Sequence, residues 1–207
     1  DAHVERTVQR PLARGAIRPA AAVCLLLVLL VVSLVVVLSL PRNSLWLCFS
    51  LAVLALPPIL LYPSAKRWFA YPQLVLAFCW GFAVLIPWAA TGDTLTLSGP
   101  LIGCWLATVI WTFGFDTVYA MADRRDDAAL GLRSSALSLG SSVVPAVRLS
   151  YALSCGALGA AAGLSGIGPM FWPIWGIASA LMQLSCRGLA KAGESIPIYG
   201  THFGQQA

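Results

Sequence analysis

A polar stretch, Asp116-Thr117-Val118-Tyr119-Ala120-Met121-Ala122-Asp123-Arg124-Arg125-Asp126-Asp127, follows directly on an apolar run from Leu101 to Phe115. At about 100° per residue, Asp116, Asp123 and Asp127 fall within about 20° of one line on a helix, and Tyr119 lies one turn before Asp123 on nearly the same line. Carboxylates stacked beside hydrocarbon repel each other and cost folding free energy. A hard divalent cation such as Mg²⁺ relieves that repulsion, and it typically takes one or two carboxylates together with substrate phosphates. The plain alternative is a solvated acidic loop. The 7-and-4 spacing and Tyr119 weigh against it for the stripe, whereas Asp126 points about 80° away and reads as a solvated acid.

Cations stand ready to complete such a site. Lys66 and Arg67 are read as opening a membrane span, near a helix N-terminus whose dipole also favours anions. Arg6 and Arg10 follow Asp1. Carboxylates, a metal and cations around one cleft suit a pyrophosphate, whose oxygens Mg²⁺ bridges while Lys or Arg takes the rest. Simpler roles exist: headgroup attraction for Arg14 and Arg18, and topology determination for Lys66 and Arg67. Gln73 and Gln183 lie in or near spans, where interhelical hydrogen bonding is the common use.

The elements that must position these groups are membrane helices. The chain is 59% hydrophobic and 10% charged, against about 25% charge in a soluble domain. This predicts an all-α integral membrane protein, a multi-helix transmembrane bundle. Apolar runs place spans at 20–40, 45–62, 72–90, 99–119, 145–164 and 170–186, with Pro57-Pro58 offering a bend in the second. Residues 63–71 read as a short loop and 121–139 as a long polar connection. The six cysteines are scattered through apolar runs without C-x-x-C spacing, which argues against zinc and against a disulfide framework. His3 and His202 lie near the two ends and form no metallohydrolase-type cluster.

Threading six spans with alternating loops puts Arg6, Arg10, Arg14, Arg18, Lys66, Arg67, Arg124, Arg125, Arg133, Arg148, Arg187 and Lys191 on one side, and Arg42 alone on the other. By the positive-inside rule the basic side is cytoplasmic. Asp1, Glu5, Asp116, Asp123, Asp126, Asp127 and Glu194 fall on that side too, so one face carries the chemistry. The chain starts at Asp1 and stops at Ala207, both within polar segments; it is read as a single membrane domain, 1–207, truncated at both ends.

Asp116-x-x-Tyr119-Ala-x-x-Asp123-x-x-Asp126-Asp127, followed by Gly131-Leu132-Arg133-Ser134-Ser135, resembles the second aspartate-rich motif of UbiA-type prenyltransferases. Tyr62-Pro63-Ser64-Ala65-Lys66-Arg67-Trp68-Phe69-Ala70-Tyr71-Pro72-Gln73 resembles the basic loop of the 4-hydroxybenzoate branch. The opening Asp1-x-His3-Val4-x-Arg6-Thr7-x-x-Arg10-Pro11-Leu12 is similar to the segment after the first motif, N-D-x-x-D-x-x-x-D, with Asp1 as its last acid.

That resemblance implies nine membrane helices, six of them complete here. It also implies transfer of a polyprenyl group from its diphosphate to carbon 3 of 4-hydroxybenzoate in ubiquinone or related quinone synthesis. Asp1, Asp123 and Asp127 match metal acids for Mg²⁺. Lys66 and Arg67 match the loop that binds diphosphate or benzoate carboxylate. Asp116 and Tyr119 match positions lining the pocket. Arg6, Arg10, Gln73 and Arg133 complete the expected substrate-binding set, Arg133 standing where the family commonly has Lys. Expected partners are polyprenyl diphosphate, 4-hydroxybenzoate and the lipid bilayer, with no nucleic acid. The expected setting is a bacterial inner membrane, with the site on the cytoplasmic side. Another acceptor within the family (haem, chlorophyllide, homogentisate or a naphthoate) and a metal-dependent transporter are the alternatives; the acids sit at a span end and no inverted repeat is visible, which counts against transport.

Overall fold

The computed structural model describes residues 7–92, 94–192 and 202. Asp1 and Arg6 therefore lie outside the described residues. Twenty residues without a charge form α1, Pro19–Leu38, with Pro19 in its first turn. At about 1.5 Å per residue this matches the roughly 30 Å of hydrocarbon in a bilayer. No residue of α1 is buried, which suits a helix whose backbone is satisfied internally and whose whole surface is apolar.

Then follow α2, Arg42–Trp68; α3, Pro72–Gly92; α4, Gly99–Ala122; α5, Arg124–Ala129; α6, Ser135–Leu139; a 3₁₀ turn at Gly140–Ser142; α7, Val143–Leu164; and α8, Phe171–Ala192. No strand occurs among the described residues. The fold is an all-α membrane bundle. Among the described residues, five segments are long and apolar enough to cross a bilayer: α1, α2, α3, α4 and the run Ser135–Leu164. The span expected at 170–186 corresponds to α8, which is not among them; Ser179, Gln183, Ser185 and Arg187 dilute its apolar character.

Three expectations need correction. The second span does not stop at Tyr62: α2 continues through Pro57, Pro58 and Pro63 to Trp68. Lys66 and Arg67 therefore occupy the last turn of α2 rather than a loop before α3. Their charges meet the negative end of a helix dipole, which holds cations. Residues 121–139 are not a plain connection, since α5 and α6 lie within them. The acidic stripe is not one helix either. Ala122 ends α4, and Asp123, at φ −91° and ψ 1°, caps it before α5 begins.

The central helix is α4, packed on α3 at one side and α7 at the other. Close approach to α7 depends on absent side chains. A Cβ on Gly103 would stand 2.9 Å from the Ala157 carbonyl oxygen, and one on Gly114 would stand 2.9 Å from the Tyr151 ring. Ser154 Oγ on α7 donates to the Ala107 carbonyl of α4 at 2.8 Å. Val118, Val147, Tyr151, Cys186 and Leu189 form one buried cluster across α4, α7 and α8, and Cys48, Leu51, Ala55, Phe82 and Ala89 form another between α2 and α3. All six cysteines are free. Two faces of α4 are thus committed to packing, which leaves the face bearing Asp116, Tyr119 and Asp123 for the space bounded by α2.

Candidate active site

At the shared end of α2, α4 and α5 lies a cavity of about 620 Å³. Tyr62, Lys66 and Arg67 of α2 form one wall; Asp116, Tyr119 and Asp123 of α4 and its cap form the opposite one. Asp127 of α5, Gln73 of α3, and Thr7 and Arg10 of the segment before α1 complete the lining. The helix break at Asp123 does not scatter the acids. Asp127 N–H still donates to the Asp123 carbonyl at 2.9 Å, so the four-residue spacing survives and both carboxylates face the same space.

Lys66 Nζ donates to Asp127 Oδ1 at 2.9 Å and to Oδ2 at 3.0 Å. Asp127 is fully buried and Asp123 nearly so, while the Lys66 side chain keeps 31% exposure. Burial raises the Asp127 carboxyl above its ordinary 3.8; Lys66 opposes that rise, and the charges of Asp123 and Asp126 add to it. Tyr62 Oη donates to Asp116 Oδ2 at 3.4 Å, which aims the phenol across the cavity.

Gln73 is buried, and its Oε1 accepts from Ser135 N–H at 2.9 Å. Ser135 Oγ is 2.8 Å from Thr117 Oγ1 of α4. Together these bonds tie the start of α3 to α4 through the start of α6. Arg133 is exposed and is not part of the lining. Its Nη1 donates to the Trp68 carbonyl, and its N–H to the Lys66 carbonyl, both at 2.8 Å.

Of the residues expected at the site, the cavity brings together Lys66, Arg67, Arg10, Gln73, Asp116, Tyr119, Asp123 and Asp127. It leaves Arg133 beside it, and Asp1 and Arg6 lie outside the described residues. Tyr62 is a lining residue that the sequence does not single out: it stands one turn before Lys66 only because α2 continues past it. Thr7 and Leu132 also reach the lining; both stand inside the motif segments, but neither side-chain type marks itself as a ligand.

Hard oxygen donors converge here, which is the chemistry that Mg²⁺ prefers. Among the described residues, no three His, Cys, Asp or Glu side chains come close enough to hold a metal by themselves. Asp123 and Asp127 could hold such an ion only together with oxygens from elsewhere, such as those of a phosphate. Lys66 and Arg67 put positive charge on the wall of the same cavity.

Known proteins share this chain's pattern. A 4-hydroxybenzoate solanesyltransferase of Synechocystis sp. is 43% identical over 206 residues, covering 99% of this chain and 68% of its own length. A 4-hydroxybenzoate octaprenyltransferase of Cupriavidus metallidurans is 38% identical over 175 residues, 84% of this chain and 56% of its own length. Another, from Burkholderia vietnamiensis, is 38% identical over 179 residues, 86% and 59%. The chain thus spans less than two thirds of those two octaprenyltransferases. The apo structure of a UbiA homolog from Aeropyrum pernix K1 superposes with a TM-score of 0.71 at 25% identity, covering 98% of this chain and 74% of that one. The UbiA prenyltransferase family model matches residues 1–192. With the family model matching most of the chain and these likenesses in sequence and fold, the chain belongs to the UbiA prenyltransferase family.

Proposed function

We propose that the protein transfers a polyprenyl group from its diphosphate to carbon 3 of 4-hydroxybenzoate, a step towards ubiquinone or a related quinone. The observation that carries this reading is the single cavity in which Asp116, Asp123 and Asp127 face Tyr62, Lys66 and Arg67. The names of the relatives support the choice of acceptor.

Asp123 and Asp127 would hold Mg²⁺, with Asp1 as a further acid. When bound, the ion neutralises charge developing on the diphosphate leaving group. Lys66 and Arg67 bind diphosphate oxygens or the acceptor's carboxylate, with Arg10 lining the same cavity; Arg6 is assigned to the same anion from the sequence alone. The allylic C–O bond breaks, and the electron pair leaves with diphosphate. The ring carbon ortho to the phenol hydroxyl attacks the allylic cation, forming a C–C bond. The proton on that carbon passes to the released diphosphate, which restores the aromatic ring. Asp116 and Tyr119 line the pocket where this occurs, and Tyr62 holds Asp116 in place. A membrane fold suits the donor, whose polyprenyl chain must be drawn sideways from lipid.

The proposed setting is a bacterial inner membrane with the cavity open to the cytoplasm, supported by the basic residues around that end. Membranes containing the protein are expected to incorporate labelled 4-hydroxybenzoate into lipid when Mg²⁺ and a polyprenyl diphosphate are supplied. Asp123→Ala and EDTA should each abolish this. Incorporation that survives both treatments would refute the proposal, and incorporation of homogentisate or a naphthoate instead would reassign the acceptor.

A further inference from the structure

The ion pair between Lys66 and Asp127 joins two helices through a flexible four-carbon stem, so the side chains alone do not fix its geometry. The backbone around it does. At the end of α5, Gly131 N–H donates to the Ala128 carbonyl at 3.2 Å and Leu132 N–H to the Asp127 carbonyl at 2.8 Å. Gly131 has a φ of +65°. This is a Schellman cap, with a left-handed residue just beyond the helix. The next amide, Arg133 N–H, donates to the Lys66 carbonyl at 2.8 Å. Consecutive N–H groups therefore hold the main chains of the two residues whose side chains meet in the cavity.

The Arg133 side chain extends the same hold. Ending at Trp68, α2 leaves its last carbonyls without partners inside the helix. Phe69 N–H takes the Ala65 carbonyl, and Arg133 takes those of Lys66 and Trp68. A guanidinium at a helix C-terminus also suits the dipole. The turn that carries Lys66 is thus capped from the segment that leaves Asp127.

We infer that Gly131–Leu132–Arg133 is a positioning clamp that fixes Lys66 and Asp127 relative to each other and so sets the grip on the diphosphate. The inference rests on the diphosphate reading of that pair. Arg133 then acts through Lys66 and does not touch substrate. Gly131 separates the two roles. A Cβ added there meets nothing within 4 Å, so Gly131→Ala strains the turn without replacing any side chain that lines the cavity. Asn tolerates left-handed backbone and should restore the turn.

The test uses the protein in detergent or membranes, with two readouts. The first is the labelling rate of Lys66 by an amine-reactive reagent, read by mass spectrometry; the chain has only one other lysine, Lys191, as internal reference. The second is KM against kcat with geranyl diphosphate. Gly131→Ala and Arg133→Ala should each speed Lys66 labelling and raise the diphosphate KM with kcat nearly unchanged, and for Gly131→Ala the rise should be about tenfold, the equivalent of the left-handed penalty for a Cβ. Gly131→Asn should return both readouts to the parent values, and Arg133→Lys should return them in part. Unchanged Lys66 labelling in both alanine variants would overturn the clamp. So would an inactive Arg133→Ala beside a Gly131→Ala of parental KM, which would make Arg133 a direct ligand. If the parent protein does not turn over the diphosphate, the prenyl-transfer reading fails, and the labelling arm still decides the clamp. Should Gly131→Ala not fold, the two Arg133 variants carry that arm.

Discussion

Lys66 and Asp127 are bound to each other as well as to the site's chemistry, so stability and activity can be separated there. Removing one partner of a buried pair costs about 3–5 kcal/mol when both are fully buried. Lys66 is partly exposed, and water screens what is left behind, so Lys66→Met should cost about 2 kcal/mol. Adding Asp127→Leu to that variant removes the orphaned charge. Thermal melts should show the double variant recovering most of the lost stability, while turnover stays absent from both. The protonation of Asp127 makes a second prediction. Folding raises this carboxyl above 3.8, so folding takes up a proton. Its contribution to stability is present in full at acid pH and is lost as pH rises through the folded-state value. Asp127→Asn is neutral throughout. Melting temperatures of the metal-free protein should therefore shift in favour of Asp127→Asn as pH rises from about 4 towards 7, and parallel pH curves for the two proteins would count against a raised carboxyl.

The relation of α4 to α7 decides where Asp116, Tyr119 and Asp123 stand. Gly103→Ala would push a methyl to within 2.9 Å of the Ala157 carbonyl and 2.8 Å of Ala161 Cβ, at a cost of about 1–3 kcal/mol for overpacking. Gly156→Ala on α7 meets nothing within 4 Å and should gain up to about 1 kcal/mol from helix propensity. Melts of the two variants should move in opposite directions; equal shifts would mean that the helices do not pack as described. Elements of this kind were largely legible in the sequence. Charge-free runs such as Pro19–Leu38 allow little but a membrane helix. What escaped was set by tertiary contact. Pro63 reads as a helix stop, yet α2 runs on to Trp68, where Arg133 accommodates its last carbonyls. Backbone acceptors leave no mark in a sequence, so the bonds from Arg133 to the end of α2 are not readable there. The acids were visible because their spacing is local, whereas the arrival of Lys66 in the same cavity depends on α2 and α4 ending at the same end of the bundle.

At the scale of the whole molecule, the same end of the bundle holds the start of α1, the end of α2, the start of α3, the end of α4 and the start of α7. Arg10, Lys66, Arg67, Arg124, Arg125, Arg133 and Arg148 gather there with the cavity, while Arg42 marks the opposite end. Positive charge resists translocation, so this end should stay in the cytoplasm. Single added cysteines can test it. Asn43 is exposed at the start of α2, and Leu130 is exposed at the cavity end after α5. The native Cys48 and Cys186 are buried, and Cys24 sits in the first turns of α1, among residues expected in hydrocarbon, where a thiolate is disfavoured. In intact cells, a membrane-impermeant maleimide should label Asn43→Cys well above the parent protein and leave Leu130→Cys at the parental level. Opening the membrane should equalise the two. Labelling of Leu130→Cys from outside would turn the cavity towards the other compartment, and the diphosphate donor would then have to be supplied from there.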